Sequence, residues 1–503
     1  MNRRRRDWWL VTAWLGSLAL VRAGSIEDTD PYWQVRAGVE TLRGLPLVRP
    51  DSWSWDPVAT PFFQTSPGWN VVLGLGWDAA RYAGVFLVGL ASIGTYLLVA
   101  VLLARRLGAR PLPTLAGVLL CVLPALAMVS PRATLVAQTV FMAAVLAADS
   151  WRRRPRPAAA VDIAVVLAAA WALTSLGSWV HLSWVALAPA TAVCWAVIWF
   201  TTAEIARVRA LLLSAAGAVG AAAGALTGPY GLDVLVYTRR VRGAADGLVV
   251  EWLSVLTPGL ALRWLPATLL ALVVSGAGLL LAWRRWRTDA SDPRAGLVAA
   301  LCIVALPAAL ASFSAIRFVG IALLAVAPVG AVAATATWDR IRARAAERPP
   351  RGPFRSARVR FWSDGARWRV VLTVVVAILA PGTLLLTLPL SRPLPELAAA
   401  DALPDSCRLV SDTSSAAVVL LARPDVPVWF DGRFDYWGHD RSAAAVRTLA
   451  RADLTAPPFS DAGCVMLTTG NDLSGGALEA ALDASAQWRP AGPGGPVRVW
   501  VRG

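Results

Sequence analysis

About eleven stretches of this 503-residue chain are apolar over roughly 20 residues, the length that crosses a bilayer as an α-helix. Lipid offers no hydrogen bonds to peptide groups, so each stretch is predicted to be a transmembrane helix. Hydrophobic residues make up 57% of the chain and charged residues 16%, a composition that excludes a soluble globular protein. The predicted spans lie at about 7–23, 82–104, 111–129, 133–149, 159–176, 179–200, 209–227, 264–283, 295–312, 316–336 and 370–390.

Arginine predicts the orientation of these spans, because short loops rich in Lys or Arg stay in the cytoplasm. Arginine clusters precede the first span and follow the second, fourth, sixth, eighth and tenth, so all lie on one side. The sequence therefore predicts a multi-pass cell-membrane protein with a cytoplasmic N-terminus and an extracytoplasmic C-terminal region. The arginine-rich loops, whose expected partners are membrane lipids, account for the net charge of +16, so nucleic-acid binding is not predicted. All 48 basic residues are arginine, which is typical of a GC-rich bacterial genome.

Three regions outside the spans are long enough to hold chemistry, and the predicted topology puts all three on the outer face. They are the loops 24–68 and 228–263 and the segment 391–503, which leaves 1–390 as the transmembrane domain. In 391–503 the apolar runs shorten to strand length and alternate with helical stretches, which predicts a small α/β domain with a parallel or mixed sheet. Strands are predicted near 408–411, 426–430, 464–467 and 497–501, and helices near 414–421, 442–451 and 476–485. Asp412 or Ser414 is predicted to cap the first of these helices.

Two cysteines, Cys407 and Cys464, open predicted strands of the outer domain. If the topology is right, the compartment is oxidising and the pair is able to form a disulfide; two separate buried thiols are the alternative. The two histidines, His181 and His439, do not lie at zinc-ligand spacing with them, so no zinc site is predicted.

Three carboxylates, Glu27, Asp28 and Asp30, follow the first span directly and lie beside Tyr32 and Trp33. Acids at a bilayer boundary are costly unless they face water, a cation or a partner, so the cluster is a candidate active site. A second interpretation stays open, in which Asp28 or Asp30 caps a short interfacial helix over residues 32–42 whose first turn holds a proline.

Other outward-facing residues also carry two interpretations each. Arg239, Arg240, Arg242 and Arg317 are suited to a donor phosphate, but Arg317 is equally suited to pair with Glu251. The tryptophans of the first outer loop fit either an interfacial aromatic belt or a platform for a sugar ring; they are Trp33, Trp53, Trp55 and Trp69. A further acid–base group fits either an internal salt-bridge network or a substrate contact; its members are Asp431, Arg433 and Asp435.

The order of these motifs resembles the type C glycosyltransferase superfamily. The first outer loop supplies Asp28-Thr-Asp-Pro-Tyr-Trp33, Gly38, Gly44-Leu-Pro46, Pro50-Asp-Ser-Trp-Ser-Trp55 and Gly68-Trp-Asn70. Downstream, in the expected order, come Pro229-Tyr-Gly231, Glu251-Trp252, Arg317-Phe318 opening the tenth span, and Asp431-Gly-Arg433. The resemblance covers most of the chain.

This resemblance implies a polytopic α-helical membrane protein with an extracytoplasmic α/β domain. It implies transfer of a sugar from a polyprenyl-phosphate donor to an envelope glycan, lipid or protein acceptor on the outer face. An acid of the first outer loop would act as the base or hold a divalent cation. On this chain that acid would be Asp30, then Asp28, then Glu27, while Trp33, His181, Glu251 and the four outward arginines would contact substrate.

Three positions depart from the superfamily pattern. Gln34 and Gly228 stand where His and Asn are common, and Ser175-Leu-Gly177 replaces an Asn-Leu-His segment, with His181 shortly after. These departures keep a second function open, a non-catalytic scaffold or assembly factor of the cell envelope with a degenerate fold. A transporter of a lipid-linked intermediate ranks lower, because the spans hold almost no charged residues.

Overall fold

The computed structural model describes residues 3–24, 30–154, 158–202, 204–245, 247–347, 370, 373–374, 395–469, 476–492 and 494–503. The chain forms two compact units. The first comprises Met1–Gly24, Gly89–Gly231 and Leu253–Thr387, and the second comprises Ser25–Val88, Leu232–Trp252 and Leu388–Gly503. The domain boundary predicted at 390/391 lies outside the described residues.

Twelve helices precede residue 348 among the described residues. They are α1 (Arg3–Gly24), α2 (Asp30–Leu42), α3 (Pro67–Arg106), α4 (Pro111–Val122), α5 (Ala133–Arg152), α6 (Ala159–Val180), α7 (Trp184–Phe200), α8 (Arg207–Leu226), α9 (Asp233–Ala245), α10 (Ala261–Thr288), α11 (Pro293–Ala311) and α12 (Arg317–Glu347). Every predicted span except 370–390 overlaps one of these helices, but α4 ends at Val122, before the predicted end at 129, and α7 begins at Trp184, after the predicted start at 179. The span at 370–390 falls almost wholly outside the described residues.

Seven helices of the described chain are long and apolar enough to cross a membrane, namely α3, α5, α6, α8, α10, α11 and α12 up to Arg344. The chain is therefore a multi-pass membrane protein, and the count of about eleven spans stays a prediction. Within the first unit α8 packs closely on α6. Gly220 permits this approach, because a Cβ there would lie only 2.3 Å from the carbonyl oxygen of Leu167.

Buried charges in the first unit lie at helix ends and pair with one another. Arg152 at the end of α5 bonds Asp149 and the carbonyl oxygen of Pro293, while Arg209 near the start of α8 bonds Asp162 near the start of α6. These pairs connect helix termini that the arginine pattern assigns to the cytoplasmic side. They do not form a charged path through the spans, which is the feature that a transporter would require.

Among its described residues, the second unit holds a mixed four-stranded sheet and five helices that follow residue 394. The strands of the unit are β1 (Val48–Arg49), β2 (Phe62–Phe63), β3 (Leu409–Ser411), β4 (Cys464–Thr468), β5 (Trp488–Ala491) and β6 (Val497–Arg502). The helices are α13 (Pro395–Ala400), α14 (Thr413–Ala422), α15 (Phe434–Trp437), α16 (His439–Arg451) and α17 (Ala477–Ala484). The sheet order is β3-β4-β6-β5, with β3 and β4 parallel and the other pairs antiparallel.

The sheet confirms the predicted α/β domain, but one predicted strand is absent from it and one of its strands was not predicted. Residues 426–430 form no regular strand; Val428 makes only isolated bridges to Leu409 and Ser54. Strand β5 was not predicted, because its residues Arg489 and Pro490 are exposed and give no strand-like alternation. Asp412 caps α14 by accepting hydrogen bonds from the backbone N–H groups of Ser414 and Ser415, as one of the two predicted caps.

The first outer loop is part of the same hydrophobic core as the C-terminal sheet. The Trp55 N–H donates to the carbonyl oxygen of Val428, and the Val428 N–H donates to the carbonyl oxygen of Trp53, at 3.1 and 3.0 Å. The side chains of Trp33, Trp53 and Trp69 are buried. The belt interpretation is therefore wrong for these three rings, because they are covered by protein rather than by lipid headgroups.

Helix α2 confirms the predicted helix but not its predicted place at the membrane interface. Nearly every residue from Pro31 to Val39 is buried, and the helix packs on α14. Gly38 is required where α2 meets α3, because a Cβ there would lie 1.8 Å from the carbonyl oxygen of Asn70. A helix covered in this way belongs to the core of the unit.

The predicted disulfide between Cys407 and Cys464 is present, with the two Cα atoms 6.2 Å apart. The alternative of two separate thiols is wrong. The bridge joins residues 57 apart in sequence, just before β3 and at the start of β4. By the chain-entropy model, closing such a loop stabilises the fold by about 4 kcal/mol.

Candidate active site

Asp30, the acid ranked first by sequence, is the first residue of α2. Its carboxylate is half-buried, and the ring N–H of Trp33 donates to Asp30 Oδ1 at 3.4 Å. The N-terminus of a helix stabilises a negative charge, so capping and catalysis are compatible at this position. Asp28 and Glu27 lie outside the described residues.

A triad of buried ionic side chains, Arg433, Asp51 and Asp431, connects the first outer loop, which contains Asp30, to the C-terminal region. Arg433 is completely buried; its Nη1 donates to Asp51 Oδ1 at 2.7 Å and its Nη2 to Asp431 Oδ2 at 2.6 Å. Burial alone would lower the pKa of Arg433, but the two carboxylates outweigh burial and raise that pKa above its ordinary value. The salt-bridge interpretation is thus confirmed for Asp431 and Arg433. Sequence reasoning missed the third member, Asp51.

A second network surrounds Glu40 and shares the Trp53 ring with the ion triad of Arg433. Glu40 accepts hydrogen bonds from Arg36 at 3.0 Å and from the Trp53 ring N–H at 2.8 Å, and it also pairs with Arg49. Arg36 and Arg433 both lie over the Trp53 ring, with guanidinium carbons 4.9 and 4.3 Å from its centroid. The two networks together hold α2 in place and therefore position Asp30.

The three arginines of α9 have different environments. Arg240 Nη2 donates to Thr60 Oγ1 at 2.9 Å and to the carbonyl oxygen of Tyr436 at 2.7 Å. Arg240 thus ties α9 to the rest of the second unit. Arg239 and Arg242 are exposed, and neither makes an ion pair or hydrogen bond with any residue that the structure describes.

Asp435 lies beside the Arg433 triad but does not belong to it. Its half-buried carboxylate makes no ion pair within the described part of the chain. Burial raises the pKa of Asp435 to about 6, although Arg433 and Arg240 act in the opposite direction. The network interpretation therefore fails for this third residue.

We expect Asp435→Asn to stabilise the second unit at neutral pH. Because the folded-state pKa is raised to about 6 from 3.8, stability is highest when the carboxyl is protonated and falls as pH rises through about 6. The free energy of unfolding of Asp435→Asn should equal that of the native chain below about pH 4 and exceed it by about 1–3 kcal/mol above pH 6. Unfolding free energies measured from pH 4 to 7.5 check this, with Asp440→Asn at an exposed nearby position as control. A gain that is the same at every pH would contradict it.

Two predicted substrate residues of the first unit lie close together. His181 lies in the connection between α6 and α7, and its Nδ1 accepts the Ser183 backbone N–H at 2.9 Å. A neutral His181 ring whose Nδ1 is an acceptor carries its proton on Nε2 and offers a donor there. Arg317, the first residue of α12 as predicted, is near enough for its charge to act on His181. Two neighbouring donors suit an anion such as phosphate.

Glu251 lies in a short 3₁₀ turn, Val250–Trp252, of the second unit. Within the described ranges no group of three or more His, Cys, Asp or Glu residues lies close enough together to hold a metal ion. A divalent cation at the first-loop acids stays a prediction, because Glu27 and Asp28 fall outside those ranges.

The sequence matches no protein-family model and no curated protein. Among solved structures it resembles ArnT from Cupriavidus metallidurans in the apo state, with a TM-score of 0.52 and 15% identity over 98% of this chain and 97% of that one. It also resembles ArnT bound to undecaprenyl phosphate, with a TM-score of 0.51, 13% identity and the same coverage. The chain has the type C glycosyltransferase fold.

A third similar structure is the oligosaccharyltransferase AglB from Archaeoglobus fulgidus, in complex with an inhibitory peptide and a dolichol-phosphate. Its TM-score is 0.49 with 13% identity over 100% of this chain and 75% of that one.

The ArnT likeness extends over nearly the whole of both chains, so the type C fold includes the C-terminal α/β region as well as the spans. The fold resemblance inferred from the first outer loop is therefore confirmed.

Proposed function

We propose that the protein is a membrane glycosyltransferase that moves a sugar from a polyprenyl-phosphate donor to an acceptor on the outer face of the cytoplasmic membrane. The observation that carries this proposal is the fold shared with ArnT over 98% of this chain, since one ArnT structure holds undecaprenyl phosphate. The proposal includes the acceptor class, which is an envelope glycan, lipid or protein. It also includes the orientation, with a cytoplasmic N-terminus and an extracytoplasmic C-terminal domain.

In this proposal Asp30 is the general base. The acceptor hydroxyl attacks the anomeric carbon of the donor sugar and transfers its proton to the carboxylate, while the bond from that carbon to the phosphate oxygen breaks. The Trp33 ring N–H and the N-terminus of α2 orient the Asp30 carboxylate. Asp28 is the next candidate for this role, and Glu27 is the third.

The leaving polyprenyl phosphate gains negative charge as the bond breaks, so cationic donors stabilise it. Arg317 supplies a permanent charge, and His181, whose Nδ1 is already an acceptor, supplies an N–H donor from Nε2. Arg240 is assigned a structural role instead, since its guanidinium already bonds Thr60 and Tyr436. Glu251 remains a candidate for a sugar hydroxyl.

We expect the purified full-length chain to bind undecaprenyl phosphate in preference to phosphatidic acid of matched charge. Arg317→Gln should weaken undecaprenyl phosphate binding by about 10- to 100-fold, the loss typical of one charged hydrogen bond. Native mass spectrometry of lipid-titrated protein measures both values. Arg287→Gln, at the opposite end of the predicted topology, is the matched control and should bind like the native chain. Equal binding of the two lipids by the native chain would favour the scaffold function.

A further inference from the structure

Helix α9 presents an apolar and basic face that no described residue of the second unit covers. Leu232, directly before α9, and Leu235 and Val236 within it are 70%, 53% and 62% exposed, and Arg239 and Arg242 are exposed beyond them. These positions recur every three or four residues, so they lie on one side of the helix. The face therefore has an apolar half at the N-terminal end and a cationic half at the C-terminal end.

The opposite face of α9 is held firmly, so this exposure is not that of a loose segment. Val234 is buried, and the Tyr237 ring stacks on Phe63 with centroids 4.3 Å apart. Arg240 bonds Thr60 and the carbonyl oxygen of Tyr436. These contacts fix which side of the helix stays uncovered.

Chain connectivity limits what can meet this face. Helix α8, a candidate membrane span, ends at Leu226, and α9 begins at Asp233. The connecting residues 227–232 reach at most about 25 Å when fully extended, so α9 begins near the end of a membrane span. An exposed leucine–valine stripe followed by arginines is the pattern of helices that lie in a membrane interface, where acyl chains cover the apolar part and lipid phosphates pair with the arginines.

We propose that α9 is a membrane-interface helix and that its exposed face binds bulk phospholipid of the outer leaflet. Leu232, Leu235 and Val236 enter the acyl boundary, and Arg239 and Arg242 bind lipid phosphates. This assignment does not depend on the transferase activity. It gives α9 the interfacial place that the sequence had suggested for α2.

Site-directed spin labelling of the full-length protein in nanodiscs tests this proposal. A nitroxide at Leu235→Cys is compared with one at Ala450→Cys, an exposed position on α16. The remaining cysteines are buried or disulfide-bonded, so they compete little for the label. In nanodiscs of neutral and anionic phospholipid without polyprenyl phosphate, the label at 235 should collide with oxygen and be shielded from a water-soluble nickel chelate. The label at 450 should show the reverse.

A label at 235 that is as open to the nickel chelate as the label at 450 would overturn the proposal. Shielding that arises only after undecaprenyl phosphate is added would also overturn it, because the face would then belong to the donor. With the double substitution Arg239→Glu and Arg242→Glu, contact of the label at 235 with the nickel chelate should rise at least threefold. Unchanged shielding in that double variant would show that Arg239 and Arg242 do not hold the helix to lipid phosphates.

Discussion

Arg433→Met should destabilise the second unit by about 3–5 kcal/mol, the loss typical of removing one member of a buried ion group. The methionine would leave Asp51 and Asp431 facing each other without a counter-charge, in a site closed by Trp53 and Tyr436. Because Asp51 belongs to the first outer loop and Asp431 to the C-terminal region, the loss should separate these two parts. Pulse proteolysis of the full-length chain across a urea series measures the change.

Arg498→Gln is the matched control, since Arg498 also pairs with a carboxylate, Asp483, but at the surface of the same unit. Exposed pairs of this kind contribute about 0–1 kcal/mol, so the control should unfold close to the native chain. The triple variant Arg433→Met, Asp51→Asn and Asp431→Asn should recover part of the loss, because no buried charge then lacks a partner. A change below 1 kcal/mol for Arg433→Met alone would show that the triad does not hold the loop.

The features that sequence predicted well depend on local pattern. The length of the apolar runs predicted the positions of the helices. The cap at Asp412 was predictable because its hydrogen-bond donors lie two and three residues further along the chain, and Arg317 marks the start of α12 because a charged residue stands at the end of an apolar run. The cysteine pair was predictable as well, since both residues open strands of one small domain. Each of these inferences needs only neighbouring residues or a known compartment.

Features that depend on distant contacts were not predictable. The partner of Arg433 in the first loop, Asp51, lies 382 residues away in sequence, although it stood within the Pro50-Asp-Ser-Trp-Ser-Trp55 motif. Residue type alone does not show whether a tryptophan meets lipid, sugar or protein, so the burial of Trp53 needed the structure. The same limit put α2 at the membrane interface instead of in the core, because amphipathic spacing shows that a face is apolar but not what covers it.

Asp30→Asn should lower turnover by about 10²-fold or more if Asp30 is the general base. Asparagine keeps the size of the side chain, and its carbonyl oxygen still accepts the Trp33 ring N–H, so the start of α2 should stay intact. Trp33→Phe keeps most of the buried ring but removes that 3.4 Å hydrogen bond, and a smaller loss of turnover is expected from a less well oriented carboxylate. Release of free polyprenyl phosphate from a labelled donor, per molecule of folded protein in membranes, measures turnover for each variant.

Asp405→Asn provides the control for loss of an acid, because Asp405 belongs to the same unit and its side chain is 97% exposed. It should turn over donor at the native rate. Normal turnover by Asp30→Asn together with a loss in Asp28→Asn would move the base to Asp28 and leave Asp30 as the cap of α2. Normal turnover by both variants would exclude Asp30 and Asp28 as the base and leave Glu27, the third candidate, to be tested in the same way. A pH–rate profile separates a base from a cap, because removing a base abolishes the acidic limb of the profile, whereas losing a cap lowers the rate at every pH.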